Sequence, residues 1–438
     1  MRIVIIGGGA AGMSAASRAR KLSKDAQITV IEEGPIISHA PCGIPYYIEG
    51  LFSDESLFSA YTPSQFAIDR DVKVLIKSRA IEVRDGEILI ESNNEKRLLE
   101  FDKLIIATGA RPRLPDVPIS GNILTIHHPT NANQAKYRLW SANDVVIVGS
   151  GLISIEVAEA LVNLGKRVTI VTRSSHVLSK MLDPEMANIV EERLARDVKI
   201  IKNADLHEIS GESGKTIVRT SEGSFDGDVV VIATGINPNS ELARDAGLSI
   251  GENGGILVDD HMRTSKSNIF AAGDVVETTN LVTGKRVIAP FGPVANKMGY
   301  VAGVNASGGD IIFPGVVLTS LTRYRDLEIG ATGIKESEAN NAGLKPRSAI
   351  IKARTRSRYY PGGGWIWIKL ISDVDNKIIG AQVIGNEGVL ARIDVLAVLI
   401  QHGLSINDLF FAELGYLPPL STVWDPLIIA ARQLMPEG

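Results

Sequence analysis

The sequence predicts an α/β protein of three domains, two built on buried parallel sheets and one of the α+β class. Near the start of the chain, a continuous apolar strand runs into a glycine-rich turn and then into a helix pattern. The same order of elements returns about 140 residues later, which indicates an internal repeat. After about residue 315 the pattern changes to shorter β-rich segments and a final helix, which predicts the third domain.

The length and composition agree with this architecture and exclude several classes of protein. A chain of 438 residues is too long for one ordinary core, and 45% hydrophobic with 22% charged residues indicates a globular protein. The net charge of −4 argues against a nucleic-acid-binding surface, and no apolar stretch is long enough to cross a membrane. A single cysteine leaves no internal disulfide, and the N-terminus has no signal-peptide pattern, so we expect a cytoplasmic protein.

The first strand–loop–helix unit predicts a Rossmann-like dinucleotide site. Gly7 permits the tight turn, Gly9 lets a pyrophosphate approach the backbone, and Gly12 lets the helix, expected over 13–22, pack on the strand. The helix N-terminus supplies free amides and a positive dipole end. Glu32 ends the second strand, where a carboxylate can accept both hydroxyls of an adenosine ribose. The predicted cofactor-binding residues of this unit are Gly7, Gly9, Ala10, Ala11, Gly12 and Glu32.

The second unit has a looser glycine loop, in which Ser154 takes the place of the third glycine before a helix expected over 155–164. Thr172 stands where Glu32 stands in the first unit, and Arg173 follows it. A missing acid followed by an arginine accommodates a ribose 2′-phosphate, so we expect NADPH, with NADH possible. The alternative is that Arg173 is a solvated surface residue. The predicted residues of this site are Gly149, Gly151, Thr172 and Arg173.

Three more apolar strands end in small or acidic residues. Two of them end in Ala-Thr-Gly, which lets the backbone turn sharply or pass close to a ligand. The third ends in Gly-Asp and places a carboxylate at the carboxyl edge of a sheet, where α/β proteins bind ligands. The residues predicted here are Ala107, Thr108, Gly109, Gly235, Gly273 and Asp274.

These motifs, in this order, resemble the pyridine nucleotide–disulfide oxidoreductase superfamily over essentially the whole chain. The resemblance implies an FAD-binding domain at 1–110 and 242–315, an NAD(P)H-binding domain at 111–241 and a dimerisation domain at 316–438. It also implies that Asp274 forms a hydrogen bond with the FAD ribityl chain, that Glu156 lies near the nicotinamide and that Asn296 contacts the flavin. Such proteins are normally homodimers, with each third domain completing the partner's active site.

The segment Ser38-His39-Ala40-Pro41-Cys42-Gly43-Ile44-Pro45-Tyr46 resembles the single-cysteine branch of that superfamily. This branch comprises coenzyme A disulfide reductases, NAD(P)H oxidases, NADH peroxidases and sulfur or polysulfide reductases. The segment is most similar to the coenzyme A disulfide reductases. Peroxidases and many oxidases carry a histidine at the position of Ala10, so its absence argues against peroxide or oxygen chemistry but leaves polysulfide open.

Cys42 is the predicted redox centre. Its neighbouring prolines and glycine keep it out of a regular strand or helix, while Tyr46 onward could begin a helix. A thiol near a helix N-terminus has a stabilised thiolate and is a better nucleophile. The alternative is a small buried hydrophobic residue. By the resemblance, Tyr360 and Tyr416 would face the partner's cysteine, where either could donate a proton; otherwise they are ordinary interface aromatics.

Basic and polar side chains are the candidates for binding coenzyme A. Ser14, Arg18 and Lys21 share one face of the first helix and match positions that line the coenzyme A channel in relatives. Ser38 and Arg70 are weaker candidates. Three alternating arginines would project to one side of a strand, either for phosphates or as a solvated face. These arginines are Arg354, Arg356 and Arg358.

The sequence therefore predicts an FAD-dependent, homodimeric NAD(P)H:coenzyme A disulfide reductase with small-molecule substrates. An NAD(P)H oxidase or a sulfur or polysulfide reductase using the same Cys42 is the alternative. Flavoproteins that pass electrons to a protein partner generally lack the Cys42 segment, which argues against that class. We predict no metal site.

Overall fold

A computed structural model of the chain describes residues 1–435, so the last three residues of the predicted 316–438 domain lie outside it. The first 110 residues contribute the start of a parallel sheet and a small antiparallel sheet. Strand β1 lies between β2 and β7, in a register that pairs Ile5 with Val30 and Ile105. The elements of this part are β1 (Arg2–Ile6), α1 (Ala10–Leu22), β2 (Gln27–Ile31), α2 (Ile44–Glu49), α3 (Pro63–Arg70), β3 (Lys73–Leu75), β4 (Ser78–Val83), β5 (Glu87–Ser92), β6 (Glu95–Glu100) and β7 (Lys103–Ile106).

The next part of the chain repeats the strand–loop–helix unit. Its parallel sheet has the strand order β12-β11-β10-β16-β9, beside an antiparallel sheet of β13 to β15. A two-stranded crossover, β8 with β17, carries the chain into and out of this second domain. The elements are β8 (Ala110–Pro112), β9 (Ile123–Leu124), α4 (Ala132–Ser141), β10 (Asp144–Val148), α5 (Leu152–Asn163), β11 (Arg167–Val171), α6 (Pro184–Leu194), β12 (Val198–Ile201), β13 (Leu206–Glu212), β14 (Lys215–Thr220), β15 (Gly223–Gly227), β16 (Val229–Ile232) and β17 (Ile236–Pro238).

After the crossover, the chain returns to the first sheet and completes it. A later strand adds beside β7, which gives the order β19-β7-β1-β2-β3. A long helix packs along α1 through Gly299 and Gly303, where a Cβ would overlap the carbonyl oxygens of Ala11 and Ala15. Only glycine therefore permits this helix spacing. The elements are α7 (Glu241–Asp245), β18 (Ile256–Leu257), β19 (Ile269–Ala271), β20 (Val276–Thr279), β21 (Arg286–Val287) and α8 (Gly292–Ala306).

The third domain is an antiparallel sheet covered by helices, as its α+β pattern predicts. The strand order is β22-β23-β26-β25-β24, and α10 and α12 pack against this sheet over a core of its own. The elements are β22 (Ser320–Tyr324), β23 (Leu327–Gly333), α9 (Glu336–Asn341), β24 (Arg347–Arg354), β25 (Trp365–Ser372), β26 (Ile378–Gly385), α10 (Val389–Gln401), α11 (Ile406–Phe410) and α12 (Pro426–Leu434).

A buried ion cluster joins the third domain to the second. Lys369 is 1% exposed, and its Nζ lies 2.7 Å from Glu336 Oε2 and 3.2 Å from Asp183 Oδ2. Asp183 also accepts a 2.7 Å hydrogen bond from Gln382 Nε2. Removing one member would leave an uncompensated charge in the interior, so the cluster ties the two domains together.

The structure differs from the sequence-based expectations at several element ends. Helices α1 and α5 begin at Ala10 and Leu152, three residues earlier than predicted, because the residues after Gly9 and Gly151 are already helical. Strand β24 ends at Arg354, so the predicted arginine alternation does not continue along a strand. Within residues 1–435, no helix is long and apolar enough to cross a membrane.

Candidate active site

The first glycine loop packs tightly against neighbouring backbone at two of its glycines and leaves room for a ligand at a third. A Cβ on Gly7 would overlap the carbonyl oxygen of Ala107, and a Cβ on Gly12 would overlap that of Gly7. Gly7 also has φ = +106°, a conformation that favours glycine. A Cβ on Gly9 would instead meet His39, with its closest atom at 3.5 Å. Ala10 and Ala11 form the first turn of α1 behind this loop.

Glu32 closes the loop from the end of β2. Its two carboxylate oxygens each accept a 2.6 Å hydrogen bond, from the amides of Gly8 and Gly34. These contacts hold the carboxylate beside the glycine loop. A carboxylate has about four lone-pair positions, so acceptor capacity remains for a ribose.

The two Ala-Thr-Gly segments lie at the crossover between the first and second domains. Thr108 Oγ1 donates a 2.8 Å hydrogen bond to the carbonyl oxygen of Asn239, whose Nδ2 donates back to the carbonyl oxygen of Thr108 at 2.9 Å. Gly109 and Gly235 have φ values of +65° and +116°, so glycine permits both turns. These residues therefore shape the crossover between the two domains.

The second glycine loop has a similar shape. A Cβ on Gly149 would overlap the carbonyl oxygen of Ala233, whereas a Cβ on Gly151 would have open space around it. The Thr172 side chain is buried, and its Oγ1 lies 2.9 Å from Ser150 Oγ within the loop. Arg173 is exposed at the end of β11. Of the two residues predicted to read the ribose, only Arg173 points its polar group toward solvent.

Cys42 lies at the junction of the first and second domains. It is the single cysteine, and it is exposed in a short 3-10 turn over Pro41–Gly43 that runs directly into α2. This helix begins at Ile44, two residues before the predicted start at Tyr46. Helix α2 packs on α4 and α5, so the cysteine segment lies against the strand–loop–helix unit of the second domain.

The charges around Cys42 disfavour its thiolate in the polypeptide alone. Although the residue as a whole is exposed, partial burial of the Cys42 thiol raises its pKa, the charges of Glu156 and Asp274 raise it too, and a backbone hydrogen bond opposes them. The predicted stabilisation at a helix start is therefore outweighed. Burial also raises the pKa of Asp274 to about 6. No hydrogen bond to this carboxylate comes from within residues 1–435, and Gly273 before it has φ = +87°.

Glu156 connects the cysteine environment to the third domain. Its pKa is raised to about 7: burial raises it most, a 3.3 Å hydrogen bond from Thr322 Oγ1 lowers it, and the charge of Glu159 raises it. Sequence reasoning missed Tyr46, which shares this environment. Burial raises the pKa of the Tyr46 hydroxyl, as does the charge of Glu156. The sequence feature that could have identified Tyr46 was its position in the cysteine segment.

The predicted tyrosines form an unexpected pair. Tyr416 lies with its hydroxyl 2.9 Å from that of Tyr359 and 3.4 Å from Ser357 Oγ. Hydrogen bonds from Ser357 and then Tyr359 lower the pKa of Tyr416. Tyr360 is 38% exposed and makes no side-chain hydrogen bond within the described chain. The sequence pointed to Tyr360, and the structure pairs its neighbour Tyr359 with Tyr416.

The candidate coenzyme A residues on α1 face α8. Ser14 Oγ donates a 2.8 Å hydrogen bond to the carbonyl oxygen of Asn296, and the Arg18 guanidinium lies 4.4 Å from the ring centre of Tyr300. The Nε of Arg18 is buried and has no partner in residues 1–435. Lys21 is exposed one turn further along the helix. Ser14, Arg18 and the backbone of Asn296 are thus brought together.

The remaining basic candidates are dispersed. Arg70 is exposed at the end of α3. Arg356 Nε donates a 2.7 Å hydrogen bond to Glu387, so this arginine is neither free for phosphate nor simply solvated. Arg354 lies 5.6 Å from the Trp365 ring, and Arg358 is exposed beyond the strand. The three arginines do not form one cationic face, because the strand ends at the first of them.

Comparison with known proteins identifies the family. Residues 1–297 match the family model for pyridine nucleotide-disulphide oxidoreductases, and residues 319–427 match that family's dimerisation domain. The chain is 45% identical over 99% of both chains to an NAD(P)H sulfur oxidoreductase (CoA-dependent) of Pyrococcus furiosus. It is 28% identical to a coenzyme A disulfide reductase of Staphylococcus haemolyticus, over 96% of both chains.

A solved NAD-dependent persulfide reductase from A. fulgidus superposes with a TM-score of 0.96 at 40% identity, covering 99% of this chain and 83% of the other. The α/β fold with a C-terminal dimerisation domain, predicted from the sequence, is thereby confirmed. The chain belongs to the pyridine nucleotide-disulphide oxidoreductase family and is an enzyme that uses FAD and NAD(P)H.

Proposed function

We propose that the protein is a cytoplasmic, homodimeric NAD(P)H-dependent reductase of sulfane sulfur carried by coenzyme A, acting through Cys42. The observation that carries this proposal is the exposed single cysteine at the domain junction, with Glu156 and Asp274 close enough to influence its ionisation. A lone cysteine has no second thiol in its own chain, so it must form its disulfide or persulfide with an external sulfur compound.

The choice of sulfur acceptor is supported by the relatives. The sequence alone placed coenzyme A disulfide first. The relative named as a CoA-dependent sulfur oxidoreductase is 45% identical, against 28% for the named coenzyme A disulfide reductase. The structural relative at 40% identity is named as a persulfide reductase. We therefore place the persulfide first.

The two glycine loops fit the two nucleotides. The open backbone at Gly9 and the carboxylate of Glu32 would hold the FAD, and the open backbone at Gly151 with Arg173 would hold NADPH or NADH. The desolvated carboxyl of Asp274 has no donor within residues 1–435, which suits a hydroxyl of the FAD ribityl chain. When bound, FAD would take a hydride from NAD(P)H and supply two electrons to the sulfur at Cys42.

The sulfur chemistry then belongs to Cys42. Its thiolate attacks the inner sulfur of the coenzyme A persulfide, forming a Cys42–coenzyme A disulfide and releasing hydrosulfide. Two-electron reduction of that disulfide returns the Cys42 thiolate and releases coenzyme A thiolate, which takes up a proton. The sum consumes one NAD(P)H, one proton and one persulfide, and gives NAD(P)⁺, coenzyme A and hydrogen sulfide. Tyr416 or Tyr360 of the partner subunit would supply the proton to the departing thiolate.

The substrate contacts follow from the α1 face. Ser14, Arg18 and Lys21 would bind the phosphates of coenzyme A, with Ser38 and Arg70 at the edge of the site. The buried Nε of Arg18 has no partner in the described part of the chain, and its guanidinium lies over the Tyr300 ring, so its orientation is already fixed. A preorganised cation loses less freedom when it binds a phosphate.

The test measures products and the state of Cys42 together. NAD(P)H oxidation with coenzyme A persulfide should release one sulfide per NAD(P)H, and Cys42→Ser should abolish this while keeping bound FAD. Intact mass spectrometry should show one coenzyme A on Cys42, lost on reduction and absent in Cys42→Ser. Oxygen consumption without sulfide release would instead identify an NAD(P)H oxidase and refute the proposal.

Coenzyme A disulfide reduction is the second candidate. The Tyr416 segment and the Staphylococcus relative favour it. Its reaction would release two coenzyme A molecules per NAD(P)H and no sulfide. Comparing kcat/KM for the persulfide and the disulfide in one preparation decides between the two acceptors.

A further inference from the structure

Three histidines lie near the first glycine loop, and the proposed sulfur chemistry uses none of them. The rings of His39 and His128 are 4.4 Å apart at their centres and tilted by 57°. Nearby, His127 Nε2 lies 2.7 Å from the carbonyl oxygen of Ala110. Burial, together with the charges of His128 and His127, lowers the pKa of His39 to about 4. His39 is therefore a neutral imidazole near neutral pH.

The edge of the His39 ring faces the open point of the loop. Apart from its chain neighbours, a Cβ on Gly9 would have just two heavy neighbours within 4 Å in residues 1–435. These neighbours are Cε1 and Nε2 of His39, at 3.5 and 3.9 Å. Whatever passes over Gly9 therefore passes beside Nε2.

The backbone before His39 is held in a strained conformation. Ser38 has φ = +49°, which is uncommon for a residue with a side chain. Its amide donates a 2.8 Å hydrogen bond to the carbonyl oxygen of Gly8, and the amide of Ala40 donates one of 2.8 Å to Phe58. These bonds fix the chain on both sides of His39 and direct its ring at the loop.

Neither ring nitrogen of His39 has a hydrogen-bond partner in the described part of the chain. Its Nδ1 is buried and has no hydrogen-bond partner among residues 1–435. Its Nε2, facing Gly9, has no side-chain or backbone partner there either. Because Nε2 faces the glycine loop and has no partner among these residues, it is the ring nitrogen available to a ligand that lies over Gly9.

We propose that His39 donates a hydrogen bond from Nε2 to a phosphate oxygen of the FAD pyrophosphate, with the His128 ring holding it in orientation. The proposal rests on the placement of FAD over Gly9 given above. A neutral imidazole carries one N–H, and a phosphate oxygen in front of Nε2 selects the tautomer that has it there. His39 is then a cofactor-binding residue between the glycine loop and Cys42.

The test compares two substitutions of His39 by their affinity for FAD. His39→Phe keeps an aromatic ring beside His128 but removes the donor, so the FAD dissociation constant should rise about tenfold. His39→Gln keeps an N–H donor and should stay within about threefold of the wild type. Quenching of FAD fluorescence on reconstitution measures both, and His176→Phe, at a half-buried histidine of the second domain, is the control. Equal affinities for His39→Phe and the wild type would overturn the proposal.

A second comparison separates this contact from the placement of FAD. Glu32→Gln should also weaken FAD if the cofactor lies on the first loop. If neither Glu32→Gln nor His39→Phe changes the affinity, the placement itself is wrong; if only Glu32→Gln does, the His39 contact is wrong.

NMR provides a readout that does not depend on the variants folding. In wild-type protein labelled with ¹⁵N-histidine, adding FAD should fix one histidine as the Nε2–H tautomer and shift its Nε2 resonance. No change in any histidine resonance would count against the contact.

Discussion

Replacing Glu156 with glutamine should stabilise the protein at alkaline pH and leave its stability nearly unchanged in acid. Glu156 lies in α5, at the contact between the second and third domains, and burial raises its pKa to about 7. The folded protein therefore favours the neutral carboxyl. Glutamine has nearly the same shape and is neutral at every pH.

The magnitude follows from the two pKa values. The folded pKa of about 7 lies about 2.5 pH units above the ordinary value of 4.5, and each unit corresponds to about 1.4 kcal/mol. Because the folded state binds this proton more tightly than the unfolded state, stability falls as the pH rises from 4.5 to 7. Above pH 7 the charged Glu156 costs about 3 kcal/mol, and Glu156→Gln removes this cost.

Equilibrium urea unfolding of the FAD-loaded enzyme at pH 5 and pH 8.5 measures the effect. The difference in unfolding free energy between Glu156→Gln and the wild type should grow by about 2–3 kcal/mol between these two pH values. Glu192→Gln, at an exposed glutamate of α6, should change stability equally at both. An equal effect of Glu156→Gln at both pH values would refute the reasoning, because it would mean that the carboxyl is not desolvated.

The same substitution has a second, chemical readout at Cys42. The charge of Glu156 is one cause of the raised pKa of the thiol, after burial. Glu156→Gln should therefore lower the pKa of Cys42. The pH dependence of iodoacetamide alkylation measures this pKa, and Cys42→Ser provides the blank. An unchanged midpoint of the alkylation-versus-pH curve would show that the charge of Glu156 does not affect the pKa of Cys42.

Three further predictions concern the domain contact, the nucleotide and the proton donor. Lys369→Met should cost about 3 kcal/mol of unfolding free energy by leaving Asp183 uncompensated, and adding Asp183→Asn should recover most of it; a double variant no better than the single one would contradict this. Arg173→Ala should raise the KM for NADPH about tenfold and leave that for NADH unchanged, and equal effects would mean that Arg173 does not read the 2′-phosphate. Tyr416→Phe should lower kcat about 100-fold and Tyr360→Phe less than tenfold, because hydrogen bonds from Ser357 and Tyr359 lower the pKa of Tyr416 and favour proton donation from it; the reverse order would assign the proton to Tyr360.

The parts of the molecule that follow local rules were predictable from the sequence. Gly7 and Gly12 were identified because a strand-to-helix turn restricts backbone shape within six residues, and the structure shows these restrictions directly. Glu32 was found for the same reason, since it ends the strand that follows. The third domain was recognised as α+β from the change in pattern, and the structure shows a sheet covered by helices there.

The parts that depend on distant contacts were not predictable. The partners Tyr359 and Tyr416 are 57 residues apart, and no periodicity distinguishes Tyr359 from Tyr360. The raised pKa of Cys42 arises first from burial and then from carboxyls on α5 and after β19, and the helix-start argument ignored both. Such effects depend on burial and on folded distances, and neither can be read from residue spacing.

The glycine contact between α1 and α8 has a consequence for how the protein is made. Helix α1 ends at residue 22. The two glycines of α8 that pack against it, Gly299 and Gly303, are synthesised only near the end of the segment that forms the first two domains. A ribosome adds about 5–20 residues per second, so α1 waits about 15–60 s for its partner. During that interval the second domain, whose strands are contiguous in the chain, can fold alone. The nascent chain therefore presents a finished nucleotide domain tethered to an unfinished one, and its apolar first sheet is the segment that chaperones must protect.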